Sequence, residues 1–367
     1  MLNVAIVGPG LVGKELLVQL LAHASATLAV VGVINSRRMV LGAVPGEPLA
    51  QPTAWEQQLG DEQQSFEADL DRFIDELAKG VVTFKTPTVV VDCTASLAIA
   101  EKYPQWLSRG LHLVTPNKKG FSSQWSLFAD IRRLSRGFSP QPDAPLVYHE
   151  STVGAGLPVL NTLYDLVKTG DKIVRIEGIF SGTLSYLFNE FSSPVATGEG
   201  RTFSEIVQVA KSLGYTEPDP RDDLNGMDVA RKVVILARVA GLQVSLDDLQ
   251  VENIVPTELR SVATADDFMK QLPSFDQHFT QLNQQAADAN TVLRYVGVVD
   301  PQGTCSVKLG RYPVDHPFAN LKGSDNIIAF TTERFPSPLI VQGAGAGAAV
   351  TAFGIFSDIL KVAERVQ

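Results

Sequence analysis

The segment that most constrains this chain stands at its beginning. Residues 2–7, LNVAIV, form an apolar run of strand length and lead directly into Gly8-Pro9-Gly10-Leu11-Val12-Gly13. KELLVQLLAHA follows with leucines at helical spacing, and TLAVVGVI over 27–34 reads as a second strand. Three glycines alone mark no more than a strand-to-helix turn. At the head of a strand–helix–strand unit they read as a dinucleotide fingerprint. Gly8 permits the tight turn, Gly10 lets a pyrophosphate approach the backbone, and Gly13 allows close helix–sheet packing. The N–H groups of the first helical turn, around Leu11 and Val12, then face the phosphates.

The 367 residues are 45% hydrophobic and 19% charged, an ordinary globular composition whose length predicts two domains. Apolar positions 66, 70, 73, 74 and 77 predict a helix from Phe66 to Leu77, and Val89–Val91 and LHLVT (111–115) predict further buried strands. Strands alternating with helices predict an α/β, Rossmann-type doubly wound parallel sheet. After Pro145 the pattern changes. Helices are expected near 158–167, 203–213, 226–240 and 283–289, and strands at 172–180, 292–299, 304–311 and 326–332. This is the pattern of an α+β domain with a mostly antiparallel sheet. QGAGAG, from Gln342, then reads as a glycine turn before a long helix. The expected division is a nucleotide domain of 1–150 and 343–367 around a substrate-binding, catalytic and dimerisation domain of 151–342.

Forty acidic against 31 basic residues give a net charge of −9, which disfavours a nucleic-acid partner. No apolar run reaches the roughly 18 residues of a membrane span, and no signal-like segment precedes the first strand. Cys93 and Cys305 form no CxxC pair and no disulfide framework. A cytoplasmic protein is expected.

An acid at the end of the second strand would hold an NAD ribose. The sequence there is Asn35-Ser36-Arg37-Arg38, so either these arginines are solvated or they pair with the 2′-phosphate of NADP(H), which is the preferred expectation. Thr94 and Ser96, and Lys118 in TPNKK, stand at the carboxyl ends of predicted strands, where such sheets bind ligands. Lysines at strand ends are also commonly just solvated. His149-Glu150 lacks the second histidine of a zinc HExxH site; the glycine-rich turn after Glu150 is either a hard-cation site or a plain domain crossing. In the helix expected from Met227, Asp228 and Lys232 are four apart and share one face. That spacing ordinarily means a solvated ion pair. Val229-Ala230 and VVILA (233–237), however, make the helix apolar around most of its circumference, so the helix is expected to be buried, where charges need partners or a function.

These blocks together, VDCTAS, TPNKKGFS, YHESTVGAGLP, GIFSGTLSYLFNEF, KSLGYTEPDPRDDLNGMDVARK, HPFANLKGSDN and QGAGAGAAVTAFG, resemble homoserine dehydrogenase, most closely its short monofunctional fungal type. The resemblance spans nearly the whole chain, and the stretch from Tyr215 to Lys232 is its specific part. It implies reversible NAD(P)H-dependent reduction of L-aspartate 4-semialdehyde to L-homoserine. Lys232 is then the acid/base at the carbonyl oxygen, helped by Asp228, and Lys118 lies beside nicotinamide and substrate. Glu217 and Asp228 match substrate-binding residues. Asp223 and Tyr215 are expected beside them, with Gly182-Thr183 receiving the substrate carboxylate at a helix start. Sodium is implied on main-chain oxygens of Glu150, Val153, Ala155 and Leu157, Gly347 near the cofactor, and a homodimer through the second domain. No fused aspartokinase or ACT domain is expected. Alternatives are an NADP oxidoreductase for another amino-acid aldehyde, or a dinucleotide-sensing regulator. Aspartate semialdehyde dehydrogenase would need a nucleophilic cysteine.

Overall fold

A computed structural model describes residues 1–367 except 24–26, 45, 195–199 and 367. The chain divides into two compact units, Met1–Gly156 with Gly347–Gln367, and Leu157–Ala346.

The first unit is built on strands β1 (Leu2–Val7), β2 (Leu28–Ile34), β3 (Arg38–Leu41), β4 (Phe66–Glu67), β5 (Thr88–Asp92), β6 (His112–Val114) and β7 (Val147–Tyr148), in the order β4-β3-β2-β1-β5-β6-β7. From β2 to β7 the pairing is parallel, and β1 is buried along its whole length. β1 therefore reads as an unbroken apolar run rather than an alternating one. The Leu11–Ala22 helix and the Ala348–Val366 helix share one core with it: Val4, Ile6, Leu16, Leu17, Ile355, Ile359 and Val362 form a single buried cluster. Each such side chain contributes about 1.5–3 kcal/mol by leaving water. That burial anchors the last helix to the sheet that begins the chain.

Two features depart from the sequence expectation. β3 turns back antiparallel on β2, and β4 antiparallel on β3, so the parallel sheet carries an antiparallel edge. The helix expected from Phe66 begins instead at Leu70, because Asp69 Oδ1 accepts the Arg72 N–H at 2.9 Å and caps it. Phe66 lies on β4 under the Arg72 guanidinium, 4.8 Å from its ring centre. Its match to the helical period was coincidental.

The second unit holds β8 (Ile173–Ile179), β9 (Gln250–Val251), β10 (Thr291–Val299), β11 (Ser306–Pro313), β12 (Asp325–Thr332) and β13 (Leu339–Ala344), in the order β13-β12-β8-β10-β11-β9. All pairings are antiparallel except β11 with β9. Gln342–Ala344, read from sequence as a turn, complete β13. The helix expected at 283–289 starts earlier, spanning Asp276–Asp288; its many glutamines hid the period. Gly297 on β10 lets the Met227–Val239 helix press onto the sheet, since a Cβ there would stand 2.5 Å from Val233. Arg294, 1% exposed, donates to the carbonyls of Phe188, Ser192, Leu293, Phe318 and Ala319. It ties the end of the Gly182–Phe191 helix to the sheet.

Candidate active site

In the first unit the three glycines have distinct geometries. Gly8 is left-handed at φ +81°, and a Cβ on it would stand 2.4 Å from the Thr94 methyl. Gly10 faces open space, with nothing within 4 Å of such an atom. At Gly13 the added carbon would meet Gly8 O at 2.7 Å. Gly10 opens the Leu11–Ala22 helix and makes no side-chain cap, so it supplies no side-chain acceptor to the first-turn N–H groups, beside exposed Leu11 and half-buried Val12. The cradle fits a phosphate: small where the backbone must turn, open where an anion must approach.

The two arginines diverge. Asn35 Oδ1 accepts the N–H groups of both Arg37 and Arg38 at 2.8 Å and shapes the β2–β3 turn. Arg37 is exposed beyond it. The Arg38 guanidinium donates instead to Ser65 Oγ at 3.0 Å, Ser65 O at 2.8 Å and Glu62 O at 3.2 Å. Arg38 is spent on the fold, leaving Arg37 as the arginine with an open outlook.

At the sheet's carboxyl edge, sequence reasoning missed a buried network centred on Asp92, which is 0% exposed. Its carboxylate accepts from the Tyr103 phenol, from Thr94 N at 2.8 Å and from Asn117 Nδ2 at 2.9 Å. Thr115 Oγ1 donates to Asp92 O at 2.7 Å and accepts Asn117 N at 2.9 Å. The network locks the loops carrying Thr94, Ser96 and Lys118 to one another. Thr94 Oγ1 accepts Ser96 N at 3.2 Å, and Ser96 Oγ caps the next short helix at Ile99 N. Lys118 is half-buried, and its carbonyl accepts Ser122 Oγ at 2.8 Å. The signal for this network was an acid ending a fully apolar strand, where a buried charge must find donors. Desolvation, reinforced by neighbouring Asp92, pushes the Cys93 thiol above its usual range, and burial does the same for Cys305. Neither is a poised nucleophile.

The segment after β7 carries Glu150 and Val153, then Gly154 at φ +78° and Ala155 at φ +54°. Glu150 N donates to Asp358 Oδ2 at 3.0 Å, and a Cβ on Gly354 would meet Ala155 O at 2.7 Å, so the turn lies directly on the Ala348–Val366 helix. His149 stacks on Phe121 with ring centres 3.8 Å apart, and burial lowers its pKa to about 3. Gly347, at φ +110°, precedes that helix and has open space around it. Leu157 opens the second unit; its carbonyl accepts Val159 N at 2.8 Å.

In the second unit Lys232 is a buried cation, with 7% of the residue exposed. Its Nζ stands 2.8 Å from Asp228 Oδ2, one turn earlier on the helix, and donates to Phe180 O at 2.7 Å. Asp228 is half-exposed, so the pair reaches from the interior to solvent. Gly226, left-handed at φ +76°, starts this helix; a side chain there would strike the Tyr295 hydroxyl at 2.0 Å. Ser181 Oγ caps the Gly182–Phe191 helix through Leu184 N at 3.2 Å. Thr183 Oγ1 lies 2.6 Å from Tyr215 O and 2.9 Å from Asp223 Oδ1, and Asp223 Oδ2 accepts Glu217 N at 2.8 Å. Asp223 thus binds the 215–217 loop to the helix start, and burial raises its pKa. Glu217 and Tyr215 are exposed, and Tyr215 meets Tyr186 edge-on at 5.0 Å. Fully buried Asn326, which donates to Phe180 O at 3.0 Å, was also missed, although it stands in the quoted block HPFANLKGSDN.

Family models match both parts of the chain: "Homoserine dehydrogenase, NAD binding domain" over 8–137 and "Homoserine dehydrogenase" over 158–360. A homoserine dehydrogenase of Saccharomyces cerevisiae is 45% identical over 99% of this chain and 98% of its own length. A chloroplastic bifunctional aspartokinase/homoserine dehydrogenase of Zea mays is 48% identical over 98% of the chain, which spans only 38% of that protein. A solved structure of a Candida auris protein of unknown function superposes with a TM-score of 0.90 at 44% identity, covering 99% of this chain and 98% of that one.

Proposed function

Because the chain belongs to the homoserine dehydrogenase family, a family of oxidoreductases, we propose that it interconverts L-aspartate 4-semialdehyde and L-homoserine with NADP(H). NAD(H) is accepted less well, because Arg37 is the exposed cation at the end of β2, where NAD sites carry an acid. The observation that carries the reading is Lys232: a buried ammonium held between half-exposed Asp228 and the Phe180 carbonyl. Burying a charge costs folding free energy, and catalysis is the return on it.

The nicotinamide, when bound, supplies or accepts the hydride. The protein's own residues do the rest. Lys232 holds the aldehyde oxygen and hands it a proton as charge develops there, while Asp228 keeps the ammonium aimed. Glu217 takes the substrate ammonium, with Tyr215 alongside. The Gly182–Thr183 helix start takes the substrate carboxylate, held in place by Asp223. Lys118, whose loop is fixed through the Asp92 network, serves the nicotinamide end of the cofactor. The glycine cradle, with Leu11 and Val12, takes the pyrophosphate; Thr94, Ser96 and Gly347 contact the cofactor. Sodium suits the neutral main-chain oxygens of Glu150, Val153, Ala155 and Leu157, a hard donor set next to two successive left-handed residues. Among the described residues no group of three or more His, Cys, Asp or Glu offers a rival metal site. No helix among them is long and apolar enough to cross a membrane. The working form is a cytoplasmic homodimer joined through the second unit.

The test is NADPH consumption with L-aspartate 4-semialdehyde against other aldehydes, with and without phosphate as acyl acceptor. Turnover confined to the first substrate and indifferent to phosphate is expected, as is loss of kcat in Lys232→Ala. A Lys232→Ala enzyme with normal kcat would refute the assignment of the lysine.

A further inference from the structure

Phe180 ends the run from β8 and precedes the Ser181 cap, and its carbonyl oxygen receives two side-chain donors. Lys232 Nζ reaches it at 2.7 Å, and the amide Nδ2 of Asn326 reaches it at 3.0 Å. Both lone pairs of that oxygen are taken. Asn326 is fully buried on β12, one residue before Ile327, which is registered opposite Ile179. Gly345 closes its other side: a Cβ there would stand 1.9 Å from Nδ2 and 2.1 Å from Cγ. Only a glycine at 345 leaves the amide its place. Turned over, it would set Oδ1 against the Phe180 oxygen. In the orientation adopted, Oδ1 is buried without a partner, a standing cost to folding that an apolar side chain of similar size would avoid.

We infer that Asn326 is a positioning residue for Lys232, its amide fixing the Phe180 carbonyl as the acceptor that, together with Asp228, aims the ammonium. The inference rests on the reading of Lys232 as the acid. A carbonyl at a strand-to-helix junction is free to tilt unless held from a second direction. A lysine side chain follows its acceptor, and small errors of aim are costly in a proton transfer.

The experiment compares Asn326→Ala and Gly345→Ala with the parent enzyme, following kcat and KM together with Tm. Asn326→Ala lowers kcat about tenfold, the scale of one lost buried hydrogen bond, and leaves the NADPH KM in place. Gly345→Ala reproduces that split without altering Asn326, by displacing its amide. A purely structural role lowers Tm but leaves the kcat of folded Asn326→Ala and Gly345→Ala enzyme unmoved, and that result overturns the inference. If Asn326→Ala does not accumulate folded, Asn326→Leu, an apolar side chain of similar size that also lacks the donor, replaces it against the same criteria. Lys232→Ala separates the two claims: retained kcat removes both, whereas its loss alongside unmoved Asn326 variants removes only the role of Asn326.

Discussion

Alanine at Gly10 and at Gly13 separates folding from cofactor binding within one turn of chain. Gly10 has φ −76° and ψ −155°, a conformation alanine adopts without strain, and nothing lies within 4 Å of the added carbon. Gly10→Ala should therefore fold as well as the parent, or be more stable by about 0.4–1 kcal/mol through a less disordered unfolded chain. Its methyl occupies the space a pyrophosphate needs. Losing one charge-assisted hydrogen bond to the helix start costs about 1.5–3 kcal/mol, or roughly 10- to 150-fold in Kd for NADPH. At Gly13 the same methyl would stand 2.7 Å from Gly8 O and 3.4 Å from Cys93 Cβ. The helix must retreat by about half an ångström, which costs about 1–3 kcal/mol of stability and spoils the turn as well. Thermal unfolding without cofactor and NADPH fluorescence titration measure the two effects. An unchanged Tm with weakened binding is expected for Gly10→Ala, and loss of both for Gly13→Ala. Full NADPH affinity in Gly10→Ala would show that phosphate does not approach there, and the geometry of the cradle would have been misread.

Two further outcomes are expected. Arg37→Ala raises the NADPH KM about tenfold and spares NADH, whereas Arg38→Ala, which strips donors from Ser65 and Glu62, mainly lowers Tm; steady-state kinetics with both cofactors and melting curves distinguish them. Burial, with Arg136 nearby, depresses the pKa of His112 from 6.5 to about 4, and its Nδ1 accepts Leu146 N at 2.9 Å, so the folded protein needs the neutral ring. The unfolded chain binds that proton first as pH falls below 6.5. Stability from this group is therefore complete above that value and drains away toward pH 4, by about 2 kcal/mol between pH 7.5 and 5. Urea unfolding of parent and His112→Gln at both pH values checks this, and equal losses in the two proteins would contradict it.

The parallel core strands were legible because each is a short, fully buried apolar run closed by a turn signal, a pattern that depends on neighbours only in bulk. The edge strands β3 and β4 were not. Four and two residues carry no usable period, and their pairing is decided by what the β2 turn presents to them. In the same way Phe66 matched a helical period, yet the cap at Asp69 set where the helix begins. Local energies of one hydrogen bond decide such boundaries, and periodicity does not report them.

Sequence alone determined the class of fold, the strand–glycine–helix cradle and the i,i+4 pairing of Asp228 with Lys232, because all three follow from covalent spacing and the repeat of regular structure. Tertiary structure decided which side chains are already committed. Arg37 and Arg38 are adjacent letters, but only folding brings Ser65 and Glu62 to one of them. Asp223 and Glu217 are both acids in one loop, but Thr183 and the Glu217 N–H occupy the first. Asn326 lies nearly a hundred residues from Lys232, and the two meet at Phe180 because β12 is registered against β8. Hydrogen bonds are short and saturable, so a residue's role depends on the competitors within about 3 Å, and those are set by packing rather than by sequence neighbours.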